Sequence, residues 1–334
     1  MALRIGKISY WHVHAWDYTK EAQQHPDTEI AGVWDENAQR GREAAEKQGV
    51  PFYESLDDLL ASDIDAVIVD APTRMHREVM VAAAKAGKHI FTEKVIAATV
   101  REAQDIIAAV TESGVKLTVS LPRLNEGYTL KIRELLEQKT LGRLTLVRAR
   151  LSHNGAIADW LPPHFYSLED CQGGALIDLG CHPMYLTRLL LGEEPVDVTA
   201  HYGYITGKEV EDNAVSVLST KSGALGIVEA GFVNSFSPFT LEVHGTEGTL
   251  LYGTPDNKLL LRTKGKDGAF ADKWHELELP ERRESAFEQW VEHIAKDTLA
   301  EENIRVALEL TALMEASNLS ARERRAVRLD ELTR

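Results

Sequence analysis

The first third of the chain alternates short runs rich in β-branched and aliphatic residues with segments of helical periodicity, and this rhythm limits the fold more than any other feature. Leu3–Ser9, Glu29–Trp34, Ala66–Ala71, His89–Thr92 and Lys116–Ser120 read as strands. Helical spacing of apolar residues fills Ala15–Gln24, Glu36–Gln48, Arg77–Ala86 and Val100–Ser113. Boundary residues agree with these limits. Thr99 with Glu102 forms a capping box, Ser55 with Asp58 a weaker one. Gly87 and Gly114 stand where helices should stop. Strands joined through helices run parallel, so residues 1–121 should form a doubly wound parallel sheet with ligands at the carboxyl ends of its strands.

After residue 121 the rhythm changes. A helix over Glu126–Gln138 and a strand-like run over Leu144–Ser152 lead into a polar, aromatic loop at 154–171. A helix over Gly174–Leu191 follows. The next segments are β-rich with no helices between them: Val196–Ile205, Ala214–Thr220, Ala224–Val233, Thr240–Thr246, Gly248–Tyr252, Leu259–Thr263 and Trp274–Leu279. Consecutive strands of this kind make a mostly antiparallel sheet. Helices near Ser285–Lys296 and Glu301–Ser320 close the chain. Residues 122–334 are therefore expected to form an α+β domain with an open, mostly antiparallel sheet.

Composition narrows the function classes. The 334 residues are 44% hydrophobic and 27% charged, the balance of a globular protein with a sizeable core. A formal charge of −15 opposes binding to nucleic acid or to an anionic membrane surface. The N-terminal MALRIGKISYW lacks the pattern of a signal peptide, and no apolar run is long enough to span a bilayer. Cys171 and Cys181 are too few for a disulfide framework or a thiolate zinc site. A cytoplasmic protein is expected, and an exposed face of the second sheet would favour a homodimer or homotetramer.

Several polar residues fall where chemistry could occur. Asp35 ends the second strand about 20 residues beyond His14, the place where a Rossmann-type unit holds the adenosine ribose with a carboxylate. The same aspartate could simply cap the next helix. With Glu36 beside it, Asp35 should repel a 2′-phosphate, favouring NAD over NADP. Glu93 and Lys94 follow the fourth strand, where a lysine could lower the pKa of a substrate hydroxyl or pass a proton; a solvated surface pair would look the same. In Gly173–Leu186, Asp178 and His182 are four apart on an expected helix. The carboxylate could then hold the imidazole in one tautomer as a general base, or both could be structural. Gly173 and Gly174 permit close backbone approach. His12 and His14 form an H-x-H, which could instead bind a divalent ion in a (β/α)₈ amidohydrolase. The late run of strands does not continue that pattern, so no metal is expected.

Taken together, these residues resemble the glucose–fructose oxidoreductase/inositol dehydrogenase (Gfo/Idh/MocA) family over essentially the whole chain. DAVIVDAPTRMH followed by AAKAGKHIFTEK is similar to the region of its fourth and fifth strands, which ends in Glu-Lys-Pro. GGALIDLGCHP is similar to its substrate-domain helix, and HGTEGTLLYG to a hairpin of its second domain. The resemblance implies a nicotinamide oxidoreductase acting on a sugar or polyol, with NAD as cofactor. It makes Lys94, Asp178 and His182 the catalytic group: His182 takes or gives the hydroxyl proton, Asp178 orients it, and Lys94 binds the same oxygen. Ser9, Trp11, His12, His14, Asp35, Glu93 and the segment Ala71–His76, with Pro72 and His76 at matching positions, would line the cofactor. Arg123, Tyr128, Trp160 and His164 are candidates for the sugar pocket on their location.

Three departures from the family pattern set further expectations. Ser9, Trp11 and His14 replace the glycines of the phosphate-binding turn. The indole should pack away from the phosphates while amides at the start of the first helix bind them, aided by His12 or His14. Alternatively the indole fills that site, and the protein is a non-catalytic ligand-binding or regulatory relative. Val95 replaces proline, and a non-proline cis peptide costs roughly 2.5–4 kcal/mol, so a trans Lys94–Val95 bond is expected. Tyr185 stands where many members have aspartate three residues after the histidine, which alters hydrogen bonding near His182.

Overall fold

Strands and helices alternate along the first part of the chain in the computed structural model, which describes residues 2–264 and 273–332. In order they are β1 (Leu3–Ile8), α1 (Ala15–Gln24), β2 (Thr28–Trp34), α2 (Ala38–Gln48), α3 (Leu56–Ala61), β3 (Ala66–Val69), α4 (His76–Lys85), β4 (His89–Thr92), α5 (Val100–Ser113) and β5 (Leu117–Val119). The strands pair in parallel in the order β2-β1-β3-β4-β5. Strand order therefore reverses at β1 and β3, the switch point beside which such sheets bind ligands. All of β3 is buried, as the central strand of a sheet covered on both faces must be, and its sequence is an unbroken apolar run. The Thr99–Glu102 capping box forms in full at the start of α5. The Ser55 hydroxyl caps α3, accepting from the Asp58 N–H at 3.1 Å. That helix is too short to announce itself by periodicity.

The chain continues with α6 (Gly127–Glu137), β6 (Leu144–Ser152), α7 (Leu168–Cys171), α8 (Ala175–Asp178), α9 (Cys181–Leu191), β7 (Pro195–Gly203), β8 (Asn213–Thr220), β9 (Leu225–Gly231), β10 (Thr240–Gly245), β11 (Gly248–Tyr252), β12 (Leu259–Thr263) and β13 (His275–Leu277). It ends with α10 (Ala286–Ala295), α11 (Glu301–Glu323) and β14 (Val327–Arg328). The second sheet has the order β13-β12-β11-β10-β6-β9-β8-β7-β14. β6 and β9 pair in parallel, and the other neighbours are antiparallel. Alternation along β6 puts Val147 and Ala149 in the core and leaves Arg148 to pair with Glu229 at 2.7 Å.

Two compact units result: Met1–Leu121 with Glu284–Leu308, and Pro122–Arg283 with Glu309–Arg334. The expectation of one unbroken second domain over 122–334 is corrected accordingly. α10 adds Phe287, Trp290 and Val291 to a core made with Ile5, Ile68 and Phe91 of the parallel sheet. Phe91 lies 5.5 Å from Phe287 and 5.8 Å from Trp290, centroid to centroid. The sequence reveals that α10 is amphipathic, but not which sheet its apolar face will cover.

The expected single helix over Gly174–Leu191 is likewise corrected to α8 and α9, with Leu179 and Gly180 between them. Pro183 lacks the N–H that a continuous helix would return to Leu179, so the helix restarts at Cys181. His182 consequently lies in the first turn of α9.

Candidate active site

In the first unit the turn after β1 packs beside the end of β3. The His12 N–H donates to the Asp70 carbonyl at 3.1 Å. Ser9 takes a left-handed conformation with φ of 71°, as the glycine of a dinucleotide turn could do without cost. The turn's N–H groups are mostly engaged within the protein. Ser9 donates to Trp34 O, Tyr10 to Asp35 Oδ2 at 2.8 Å, Trp11 to Ser9 Oγ at 3.1 Å and His14 to His12 Nδ1 at 3.3 Å. The Val13 and Trp16 N–H groups have no hydrogen-bond partner among the described residues. They sit at the start of α1, where the helix dipole favours an anion. A dinucleotide pyrophosphate therefore fits this turn through Val13 and Trp16, not through the former glycine positions. Trp11 is buried, and His14 reaches Asp17 Oδ2 at 2.9 Å.

Asp35 is less available than the sequence suggests. Oδ1 accepts from the Asn37 N–H at 2.8 Å and from Arg40 at 2.7 Å; Oδ2 accepts from the Tyr10 N–H and from Arg40 Nε at 2.9 Å. The carboxylate is fully buried, and each of its oxygens already accepts twice. Its expected direct grip on ribose hydroxyls does not fit this arrangement, because Arg40, which falls one helical turn into α2, has taken that place. Nor does Asp35 cap α2; the Asn37 side chain does, accepting from the Arg40 N–H. Glu36 also pairs with Arg40. Glu36 Oε2 is buried with no geometric hydrogen-bond partner among the described residues; burial together with Asp35 raises the pKa of this carboxyl, against the pull of Ser9 and Arg40. At the end of β2, Glu36 is the partly exposed carboxylate, beside a fully buried Asp35.

Glu93 organises the ends of β1, β4 and β5. It is 2% exposed, accepts the Lys94 N–H at 2.7 Å, receives the Tyr18 hydroxyl and lies 3.8 Å from His12 Nδ1. The Ser120 hydroxyl is 2.7 Å from the Tyr18 oxygen and completes a chain toward the carboxylate. Burial would raise the Glu93 pKa, but His12, Lys94, His14 and the Tyr18 hydroxyl together bring it down to about 2. Beneath this cluster, Lys7 and Asp70 form a fully buried ion pair, and burial lowers the Lys7 pKa well below its usual value.

His76 turns inward. Nδ1 lies 2.8 Å from Val95 O, and Nε2 3.1 Å from Ala71 O. Burial lowers the ring's pKa against the pull of these carbonyls, and the ring, wedged between them, braces the segment after β3 against the segment after β4. Its expected place among the cofactor contacts is revised to this internal role. Pro72 opens the short turn Thr73–Met75 that leads to it. Lys94 is buried, and the Lys94–Val95 peptide is cis, not trans as expected. The intrinsic cost of the bond is all the sequence supplies. The structure adds its surroundings, a buried Val95 side chain and a carbonyl facing His76.

In the second unit Gly174 allows α8 to start against the 211–212 corner, since a Cβ there would lie 2.1 Å from Glu211 O. Glu211 Oε1 accepts the Leu176 N–H at 3.0 Å, and burial pushes its carboxyl up to about 7. This corner fixes the short helix that bears Asp178. Four residues on, the His182 ring meets a partner outside the expected Asp178 pairing: its Nδ1 is 3.2 Å from the Tyr185 hydroxyl. That hydroxyl accepts the Arg123 N–H at 3.0 Å. The Arg123 guanidinium donates to the Tyr128 hydroxyl at 3.0 Å and lies 4.1 Å from the Phe239 ring centre. Burial pushes Tyr128 up to about 12. Arg123, Tyr128, Tyr185 and His182 thus form one connected group. Trp160 is 54% exposed and turns instead to Asn154, at 3.1 Å, and to His153. His164 lies in the short turn Pro163–Tyr166 of the same loop.

Sequence reasoning missed Arg40, Tyr18, Ser120, Lys7 with Asp70, and Glu211. A lysine inside the otherwise apolar β1 was the clearest available signal. Among the described residues no group of His, Cys, Asp and Glu is arranged to hold a metal ion, and the open parallel sheet removes the (β/α)₈ reading. No helix there is long and apolar enough to cross a membrane.

Comparison with known proteins agrees with this construction. Residues 5–121 match a family described as "Oxidoreductase family, NAD-binding Rossmann fold", and residues 129–251 match "GFO/IDH/MocA C-terminal domain". A 1,5-anhydro-D-fructose reductase of Ensifer adhaerens is 31% identical over 231 residues, 67% of this chain and 68% of that protein. A myo-inositol 2-dehydrogenase of Thermotoga maritima is 26% identical with 99% of each chain covered. The crystal structure of an NAD-binding protein from Listeria innocua superposes with a TM-score of 0.83 at 25% identity, covering 98% of this chain and 97% of that one. Fold and site together define an oxidoreductase with a Rossmann nucleotide-binding unit. The chain belongs to the Gfo/Idh/MocA family.

Proposed function

We propose that the protein is an NAD-dependent oxidoreductase acting on a secondary alcohol of a sugar, an inositol or a sugar derivative. The observation that carries this reading is the His182–Tyr185–Arg123 group: an imidazole whose Nδ1 meets a phenol, that phenol held by the Arg123 backbone N–H and the Arg123 guanidinium held by a second phenol, with His182 in the segment that resembles the family's substrate helix. Relatives named for an anhydro-sugar and for myo-inositol support the substrate class. By the same resemblance Lys94, Asp178 and His182 form the catalytic group, and Arg123, Tyr128, Trp160 and His164 are the candidate sugar contacts.

Bound NAD would supply hydride acceptance at its nicotinamide ring. The chain's own residues do the rest. The Val13 and Trp16 N–H groups hold the pyrophosphate, and the partly exposed Glu36 carboxylate accepts from the ribose. That carboxylate disfavours a 2′-phosphate, which is why NAD is assigned over NADP. By the family resemblance, the roles on the substrate oxygen go to Lys94 and His182. We place the protein in the cytoplasm, on its acidic composition and its two buried cysteines, and as a homodimer or homotetramer through an exposed face of the second sheet. A screen of sugars and inositols with NAD and NADP, read by nicotinamide absorbance, tests the reading. Turnover should appear with NAD and fall by roughly 10²-fold or more in His182→Ala.

A second reading has its own support. The engaged N–H groups of the turn and the saturated Asp35 suit a non-catalytic ligand-binding or regulatory relative. Absence of NAD binding by the folded protein would favour it.

A further inference from the structure

The family resemblance gives His182 the task of taking or giving a hydroxyl proton. We infer instead that Tyr185 holds neutral His182 in the tautomer protonated at Nε2, so that His182 donates a hydrogen bond to the substrate oxygen and Tyr185 acts as its positioning residue.

The argument is an accounting of one hydroxyl. Tyr185 is 0% exposed, so its O–H must find an acceptor inside the protein. Its oxygen already accepts the Arg123 N–H at 3.0 Å. The hydroxyl's other partner among the described residues is His182 Nδ1, at 3.2 Å. The phenol therefore donates to Nδ1, which must be bare, and the proton of a neutral imidazole goes to Nε2. The opposite tautomer would aim Nδ1–H at an oxygen whose acceptor direction is occupied, leaving the phenol proton buried with no acceptor. A stranded buried donor shifts such a balance by on the order of tenfold or more. Burial also raises the Tyr185 pKa well above 10, so the phenol keeps its proton. An aspartate at this position would accept from Nδ1–H and leave Nε2 as a base. The tyrosine reverses that polarity.

A neutral ring with its proton on Nε2 has no lone pair there for a substrate proton, and losing that proton would leave an imidazolate. It can polarise a carbonyl or steady an alkoxide, as a fixed hydrogen-bond donor does. The proton released from a hydroxyl, as its carbon gives up hydride to the nicotinamide, then passes to another base. Lys94 is the candidate that the resemblance supplies. This part rests on the proposed oxidoreductase reading; the tautomer does not.

The test is nitrogen NMR of the whole protein labelled with ¹⁵N-histidine, the His182 signals being identified among the 12 histidines by their loss in His182→Gln. The expected spectrum above the ring's titration has a bare Nδ1 and a protonated Nε2. Tyr185→Phe should shift the tautomer ratio by on the order of tenfold toward Nδ1–H, and Tyr185→Asp should carry it further. A wild-type ring protonated at Nδ1 overturns the inference, whether or not the variants fold. Because the spectrum is recorded without cofactor or sugar, a failed substrate screen would leave this result standing on its own.

Discussion

Replacing Glu93 with glutamine should lower folding stability by roughly 3 kcal/mol near neutral pH, and by progressively less in acid. The carboxyl falls from 4.5 in the open chain to about 2 when folded. At about 1.36 kcal/mol per pH unit, that difference amounts to roughly 3 kcal/mol. Its origin is the surrounding set of donors and cations: His12, Lys94, His14 and the Tyr18 hydroxyl outweigh the penalty of burial. The folded value lies below the unfolded one, so the stabilisation is complete above pH 4.5 and is lost as the pH falls through about 2. Near pH 3.5 about 2 kcal/mol of it should remain, by the same linkage. Urea unfolding of wild type and Glu93→Gln, followed near pH 7 and near pH 3.5, measures the gap at both ends. The hydrogen bonds that glutamine fails to replace add a constant to it, so narrowing is the diagnostic. A gap of equal size at both pH values would refute the claim that charge holds this carboxylate in place.

Other substitutions test the remaining geometry. Asp35→Asn should destabilise the fold by about 3 kcal/mol or more, because it breaks a buried pair with Arg40. Glu36→Gln should leave thermal unfolding nearly unchanged and weaken NAD binding several-fold by calorimetry; equal effects of the two would show that the ribose acceptor is misassigned. Gly174→Ala forces a Cβ onto the Glu211 carbonyl at 2.1 Å and should lower stability by about 1–3 kcal/mol, read by chemical denaturation. Glu211 is raised on folding from 4.5 to about 7, so the sign is opposite to that of Glu93. Wild type should lose stability relative to Glu211→Gln as the pH climbs from about 5 to about 8, and a flat difference across that range would contradict the assignment.

The parallel sheet was legible because its signals are local. Continuous apolar strands, a capping box at Thr99 and glycine at position 114 each mark their own boundary. What stayed hidden depends on partners distant in sequence. Nothing near Phe287 and Trp290 states that they complete the core around Phe91, so the sequence by itself implies a second domain that runs on without interruption. Asp35 was recognisable by its spacing, but its use is decided by Arg40 and by the Tyr10 N–H, which the fold brings to it. The Asp178–His182 spacing assumed a continuous helix that Pro183 and Gly180 do not provide. Tyr185 was visible only as a departure from the family pattern. Its role follows from the Arg123 N–H reaching it across 62 positions of sequence.

The reading as an NAD-dependent oxidoreductase is tested most directly by titrating NAD into the folded wild-type protein by calorimetry. The turn after β1 has Ser9, Trp11 and His14 at the glycine positions of the family pattern, yet the Val13 and Trp16 N–H groups at the mouth of α1 have no partner among the described residues. Saturable NAD binding is predicted, weakened when His12 and His14 are both replaced by alanine. No detectable heat at high cofactor concentration, from protein shown to be folded, would contradict the account and leave the regulatory reading in its place.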